Sequence, residues 1–180
     1  MRQCGDCTLC CTLLPVNTIG KPASTRCDHA KFKKGCKLYH SRDMPPECRI
    51  WNCRWLVNDD MNEQSRPDRS HLVVDLMPDY VTALEHATGT LTKIQVVQVW
   101  CDPKHRDAHR DPAFRHYLER RGAQGIAAII RYNSSDSLII FPPCMADDRQ
   151  WHEIADSVKE ERTRADMDEF ISGAKLIVTE

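Results

Sequence analysis

The sequence predicts an α+β protein in which a small, irregular, metal-nucleated N-terminal cysteine cluster packs on an α+β body with an antiparallel sheet. Three observations predict it. Eight of the ten cysteines of this 180-residue chain lie between Cys4 and Cys53, in a stretch without sustained apolar periodicity. From His71 onward, β-branched runs of strand length alternate with a capped helical pattern. Between the two lies a polar, proline-containing connector, so the chain divides into 1–56, 57–70 and 71–180.

Within the first part only Trp51-Asn52-Cys53-Arg54-Trp55-Leu56-Val57 is rich in large apolar groups, and it is placed to close the cysteine unit against the α+β body. In the body, His71 to Met77 and Lys93 to Trp100 read as strands with a turn at Gly89. Asp111-Pro112 reads as the N-cap and first turn of a helix carrying Phe114, Tyr117, Leu118 and Arg121, ended by Gly122 or Gly125. Ile126 to Tyr132 and Ser137 to Phe141 read as a hairpin around the loop 133–136, stopped by Pro142-Pro143. The spacing of Trp151, Ile154, Ala155 and Val158 predicts a helix from Asp148 to Glu161, and Lys175 to Val178 a last short strand.

Composition narrows the class. At 41% hydrophobic and 28% charged, the chain is neither disordered nor low in complexity. No run approaches the roughly 18 uninterrupted apolar residues of a membrane span, so no membrane partner is expected. The start, Met1-Arg2-Gln3-Cys4, has no apolar leader core, and cytoplasmic residence is the expectation. In that reducing compartment, closely spaced cysteines are metal ligands or redox groups more often than disulfides. Through Leu56 ten Lys/Arg face four Asp/Glu, a formal +6, while the remainder carries fifteen against twenty-two, −7. The basic third admits a nucleic-acid or protein partner, but Lys and Arg around thiolates chiefly offset thiolate charge.

The chemistry sits in the order Cys4, Cys7, Cys10, Cys11, Cys27, Cys36, Cys48 and Cys53. Two-residue gaps let successive thiolates reach one ion. Neighbouring side chains diverge, so the adjacent pair Cys10-Cys11 points to a second metal or a bridge. Eight thiolates suit two four-thiolate zinc ions, which ligand chemistry favours and which is the first expectation; the alternative is an iron–sulfur cluster with one zinc, or two clusters. All eight being thiolates, with no open position, the site is expected to be chiefly structural. Spacing does not assign which four share a metal. His29 and His40 are read as loop histidines beside a complete set.

The run Cys4-Gly5-Asp6-Cys7-Thr8-Leu9-Cys10-Cys11, with Gly35-Cys36-Lys37-Leu38-Tyr39 and Pro46-Glu47-Cys48-Arg49-Ile50-Trp51-Asn52-Cys53, resembles the YkgJ-type CxxCxxCC family of zinc- or iron-chelating bacterial proteins. Val99 to Pro103 and Phe141 to Pro143 resemble its longer members less distinctively. The resemblance implies a metal site on these eight positions and brings no established reaction. The same cysteine unit resembles part of flagellin lysine methylases, which keeps cluster-dependent methyl transfer as an alternative, although a chain of this length is expected to carry only part of such an enzyme.

A weaker constellation runs from Trp100 to Asp111. His105 and His109 would share a face if helical, with Asp102 or Cys101 as a third ligand, whereas Pro103 and the helix start at Asp111 favour a polar connection. Cys101 and Cys144 are read as small buried thiols. No catalytic residue is assigned.

Overall fold

The computed structural model describes residues 2–62, 65–85, 89–156 and 178–179. A six-stranded sheet organises them. Strand β3 (Leu72–Glu85) and β4 (Thr90–Cys101) form a long antiparallel hairpin, with Leu72 opposite Cys101 and a bulge between Val74 and Pro78. Gly89 holds the turn with φ 67°, a left-handed conformation open to glycine at little cost. The chain then crosses through a 3₁₀ segment (Pro103–Arg110) and helix α5 (Pro112–Gly122) to β5 (Ile126–Arg131), which lies parallel to β4. Parallel neighbours need such a crossover, so the sheet is mixed rather than wholly antiparallel. Strands β6 (Ser137–Phe141) and β7 (His152–Asp156) continue it antiparallel, and β8 (Val178–Thr179) pairs with β3 on the far edge.

Local chemistry accounts for most elements. The Asp111 carboxylate accepts from the backbone N–H groups of Ala113 and Phe114, satisfying two donors that the first turn leaves over, with Pro112 opening the helix. Phe114, Tyr117 and Leu118 turn inward, as their spacing predicts. The hairpin of β5 and β6 forms around residues 132–136, with the Tyr132 N–H bonded to the Asp136 carbonyl. The helix expected from Asp148 to Glu161 is not formed: His152–Asp156 is a strand, and 157–161 lie outside the described residues. Pairing of Leu138 with Ala155 and Ile139 with Ile154 satisfies the edge of β6 and replaces the 3.6-residue period by an alternation. Ile154 packs with Val96, Ile129 and Ile139, and Glu153 turns to the opposite face. Of the last expected strand, only Val178 falls within β8; 175–177 lie outside the described residues.

Both sheet faces are apolar. Ala127, Ile129, Ile139 and Phe141 belong to one cluster, and Ala128, Ile130 and Ile140 to a larger one that includes α5. The larger cluster also takes in Leu13, Cys53, Trp55 and Met61. The N-terminal third therefore shares its core with the sheet.

That third is short-segmented. It contains α1 (Cys10–Leu13), a 3₁₀ turn (Asn17–Ile19), a two-stranded ribbon of β1 (Ala30–Lys31) and β2 (Gly35–Cys36), α2 (Pro46–Ile50) and α3 (Arg54–Val57). Helix α4 (Pro67–Ser70) leads into β3. Three contacts fasten it to the body: Cys53 and Asp75 form an antiparallel bridge, the Ser24 hydroxyl donates to the Tyr132 carbonyl at 2.5 Å, and Arg120 donates to the Asp60 carbonyl at 3.0 Å. Arg2 closes the start of the chain by donating to the carbonyls of Trp55, Asn58 and Met61 at 2.8, 2.9 and 2.6 Å.

Candidate metal centre

All eight cysteines of the N-terminal signature line one cavity of about 680 Å³. Short segments put them there. Helix α1 presents Cys10 and Cys11, the ribbon carries Cys36, α2 carries Cys48, and Cys53 stands at the start of α3 beside its bridge to Asp75. The Cys27 N–H donates to the Cys11 carbonyl at 2.9 Å, so two cysteines sixteen residues apart are held by their own backbone.

The electrostatic neighbours of the thiols form two groups that meet at Cys4, Cys10 and Cys11. Cys53 is pushed up to about 11 by burial, and the thiols that act on it are Cys4 and Cys7. Cys48 is likewise pushed up to about 11 by burial, and the thiols that act on it are Cys11, Cys27 and Cys36. Cys10 stands at the junction: its thiol shares hydrogen bonds with Cys11 and Cys4, which together with burial hold it well above the usual thiol range. The same bonds lower its neighbours. Cys11 is drawn down to about 7, first by Cys10, against its own burial, and then by the Lys21 ammonium.

Lys21 is a buried cation lining the site, and its sequence context, Gly20-Lys21-Pro22, does not single it out. It is 7% exposed, and its ammonium donates to the carbonyls of Thr12, Leu14 and Pro22. Burial lowers its pKa, while Cys27, Cys11, Cys10 and Cys48 favour its charged form. A buried lysine whose electrostatic neighbours are thiols suits an anionic centre.

Backbone donors point the same way. The Leu38 N–H reaches the Cys36 sulfur at 3.4 Å, the amides of Leu9 and Asp68 bond to Cys7, and that of Leu56 to Cys53. N–H donors to sulfur favour thiolate over thiol. Ser41 Oγ, Glu47 Oε2 and Trp51 Nε1 are buried without a hydrogen-bond partner among the described residues, and all three residues line the cavity. The donor set, the buried cation and the unmatched polar atoms fit a metal–thiolate group.

The size of such a group is constrained by spacing. Among the described residues no three thiols lie within 4.8 Å of one another. Four thiolates on one zinc, each at about 2.3 Å from the metal, stand roughly 3.8 Å apart. The hydrogen-bonded pairs Cys4–Cys10 and Cys10–Cys11 are of that order.

His29 and His40 also line the cavity, His40 exposed and tilted against Tyr39 with ring centroids 4.1 Å apart. The later cysteines stand apart from it. Cys101 is fully buried, as expected, its Sγ 3.3 Å from the His105 carbonyl and pushed up to about 12 by burial. Cys144 is exposed, contrary to expectation, because the turn after Pro142-Pro143 leaves it at the surface beside α5. His105 and His109 do not share a face: the 3₁₀ segment is kinked at His105, and His109 turns into the core at 1% exposure, its Nδ1 2.7 Å from the Arg106 carbonyl.

No protein-family model, curated protein or solved structure matches this chain. Among the described residues no helix is long and apolar enough to cross a membrane.

Proposed function

We propose that this chain is an iron–sulfur protein, with Cys4, Cys7, Cys10 and Cys53 holding one cluster and Cys11, Cys27, Cys36 and Cys48 another. The observation that carries the proposal is the convergence of eight thiols on one 680 Å³ cavity, with Cys10 hydrogen-bonded to both Cys4 and Cys11 so that one thiol joins the two groups. A polynuclear cluster distributes its terminal thiolates over several metals, which suits eight thiols in one cavity with an adjacent pair, Cys10-Cys11, at the junction. The resemblance to zinc- or iron-chelating CxxCxxCC proteins, carried by the same eight positions, agrees with either metal. When bound, such clusters supply one-electron redox chemistry.

The protein's own part is to hold charge and geometry. Lys21 offsets thiolate charge from inside the second set, and the amides of Leu9, Asp68, Leu38 and Leu56 support the sulfurs. The bridge from Cys53 to Asp75 ties the first set to the sheet.

Anaerobic purification followed by iron, zinc and acid-labile sulfide analysis and a visible spectrum tests the reading. Brown protein with iron and labile sulfide is expected, and Cys53→Ser and Cys48→Ser should each remove part of both. Colourless protein holding two zinc ions would replace iron–sulfur chemistry by structural zinc. Protein holding neither metal would end both.

A further inference from the structure

We infer that His71, Asp102 and His105 form a second metal site, separate from the thiols, for a divalent first-row transition ion bound by two imidazoles and one carboxylate. Among the described residues they are the only three potential ligands of the His, Cys, Asp and Glu types whose donor atoms all lie within 4.8 Å of one another.

The fold builds this group from two distant stretches. Leu72 and Cys101 are opposite one another at the open end of the β3–β4 hairpin, and one residue beyond each, the Asp102 N–H donates to the His71 carbonyl at 2.9 Å. His71 therefore enters the sheet where Asp102 leaves it. The Asp102 Oδ1 caps the 3₁₀ segment by accepting from the Lys104 N–H at 3.0 Å, and its Oδ2 faces His71 Nδ1 at 3.9 Å. That separation is too long for a hydrogen bond and leaves space between two good ligands.

Both histidines owe their position to unusual backbone. His71 ends α4 in the left-handed region at φ 60°, and His105 interrupts its 3₁₀ segment at φ −130°, ψ 51°. These two departures bring the imidazoles into a stack with centroids 3.5 Å apart and planes 13° from parallel. A stack half open to solvent returns little for the left-handed backbone of His71, whereas a shared ion would account for it.

Two imidazoles and a carboxylate leave coordination positions open, unlike a closed set of thiolates, and suit zinc or ferrous iron. Parallel planes cannot both contain one ion lying between them, so binding requires a rotation about the broad terminal ring torsions. Asp68 is an electrostatic neighbour of Cys4, Cys7 and His71, which places this site beside the first thiol set.

Cobalt(II) titration of the full chain, purified anaerobically with its thiol centre as isolated, tests the site. The expected result is one equivalent of cobalt with weak visible bands and no thiolate-to-cobalt charge transfer, accompanied by ¹⁵N shifts of the His71 and His105 rings. His105→Ala and Asp102→Asn should each weaken that cobalt at least tenfold while keeping the wild-type thiol-bound metal content. Asp102→Asn retains an acceptor for Lys104 and so serves as the fold-preserving variant. Cobalt bound only with charge-transfer bands, or bound with unchanged affinity in both variants, would overturn the inference. Charge-transfer bands report on the thiols alone, so failure of the iron–sulfur reading is distinguishable.

Discussion

The backbones of Cys53 and Asp75 pair in an antiparallel bridge, so the last cysteine of the signature is joined directly to the first long strand of the sheet. Cys53 and Trp55 are buried in the same cluster as Val73, Val99 and Leu118. Metal bound at the cysteines is therefore expected to stabilise the sheet. Saturation at about 1,000 times Kd contributes roughly 4 kcal/mol. A chain of this size shifts by about 2–4 °C per kcal/mol. Chelation is expected to lower the melting temperature of the sheet roughly 8–16 °C, in a single transition seen by near-ultraviolet and far-ultraviolet circular dichroism. A sheet that melts unchanged after the metal is removed would contradict this coupling.

Loading of the centre is expected to release protons. Cys48 and Cys53 are both held near 11 by burial, so in the metal-free chain they are neutral thiols at pH 7. Metal ligation requires thiolates, and affinity should rise with pH across the neutral range. Titration of metal into weakly buffered protein with a pH indicator measures the release, and constant affinity between pH 6 and 8 would be the contrary result.

Lys21→Met removes the ammonium that helps draw Cys11 down to about 7. In the metal-free protein the midpoint of Cys11 alkylation should therefore move to higher pH. The carbonyls of Thr12, Leu14 and Pro22 lose their shared donor, at a cost of about 1–3 kcal/mol per group left buried and unsatisfied. Mass spectrometry of alkylated Cys11 across pH, alongside urea denaturation, reads both effects.

Gly35→Ala separates a packing defect from simple backbone strain. Gly35 has φ 82°, and an added Cβ would stand 2.7 Å from the Gly5 carbonyl oxygen, between Cys4 and Cys7 in the chain. Gly89→Ala has a similar φ of 67° with nothing within 4 Å of the added atom. Each substitution carries a left-handed penalty of about 1–2 kcal/mol, but only Gly35→Ala should also lower metal content. Equal metal content in the two variants would show that the Gly5 contact is dispensable.

Glu153 ends at about 2: its burial raises it, but hydrogen bonds from Arg110 and Arg115 and the charge of His109 outweigh that. A carboxylate depressed in the folded state stabilises above its unfolded pKa of about 4.3 and loses that contribution as pH falls toward 2. Glu153→Gln should lower stability at neutral pH and flatten its decline between about pH 4.5 and 2. Urea midpoints measured across that interval test it, a wild-type-like decline being the adverse outcome.

Much of the fold was legible locally. Asp111-Pro112 specified a helix start by its own hydrogen-bonding capacity, and the two apolar runs of strand length around the polar loop 133–136 specified a hairpin. The stretch around Ile154 was not legible, because its apolar residues satisfy a helical period and the partner that makes it a strand, β6, is supplied only by the sheet. The parallel placement of β5 beside β4 is similarly a product of the crossover through α5. At the candidate centre, the cysteines were legible by spacing, and Lys21 was not, since its role comes from being folded among them. His71 gave no signal either, sitting some thirty residues from the histidine and aspartate that it meets.

By itself, the sequence determined the ligand inventory: eight cysteines in one ordered signature, their basic surroundings, and the caps and turns of the body, all of which depend on residues close together in the chain. Only the tertiary structure decided the convergence of those cysteines on one cavity, the burial of a lysine among them, and the meeting of His71 with Asp102 and His105. Those relationships depend on which segments cross in space. Strand register and a shared core fix the crossing, and local spacing carries no information about it.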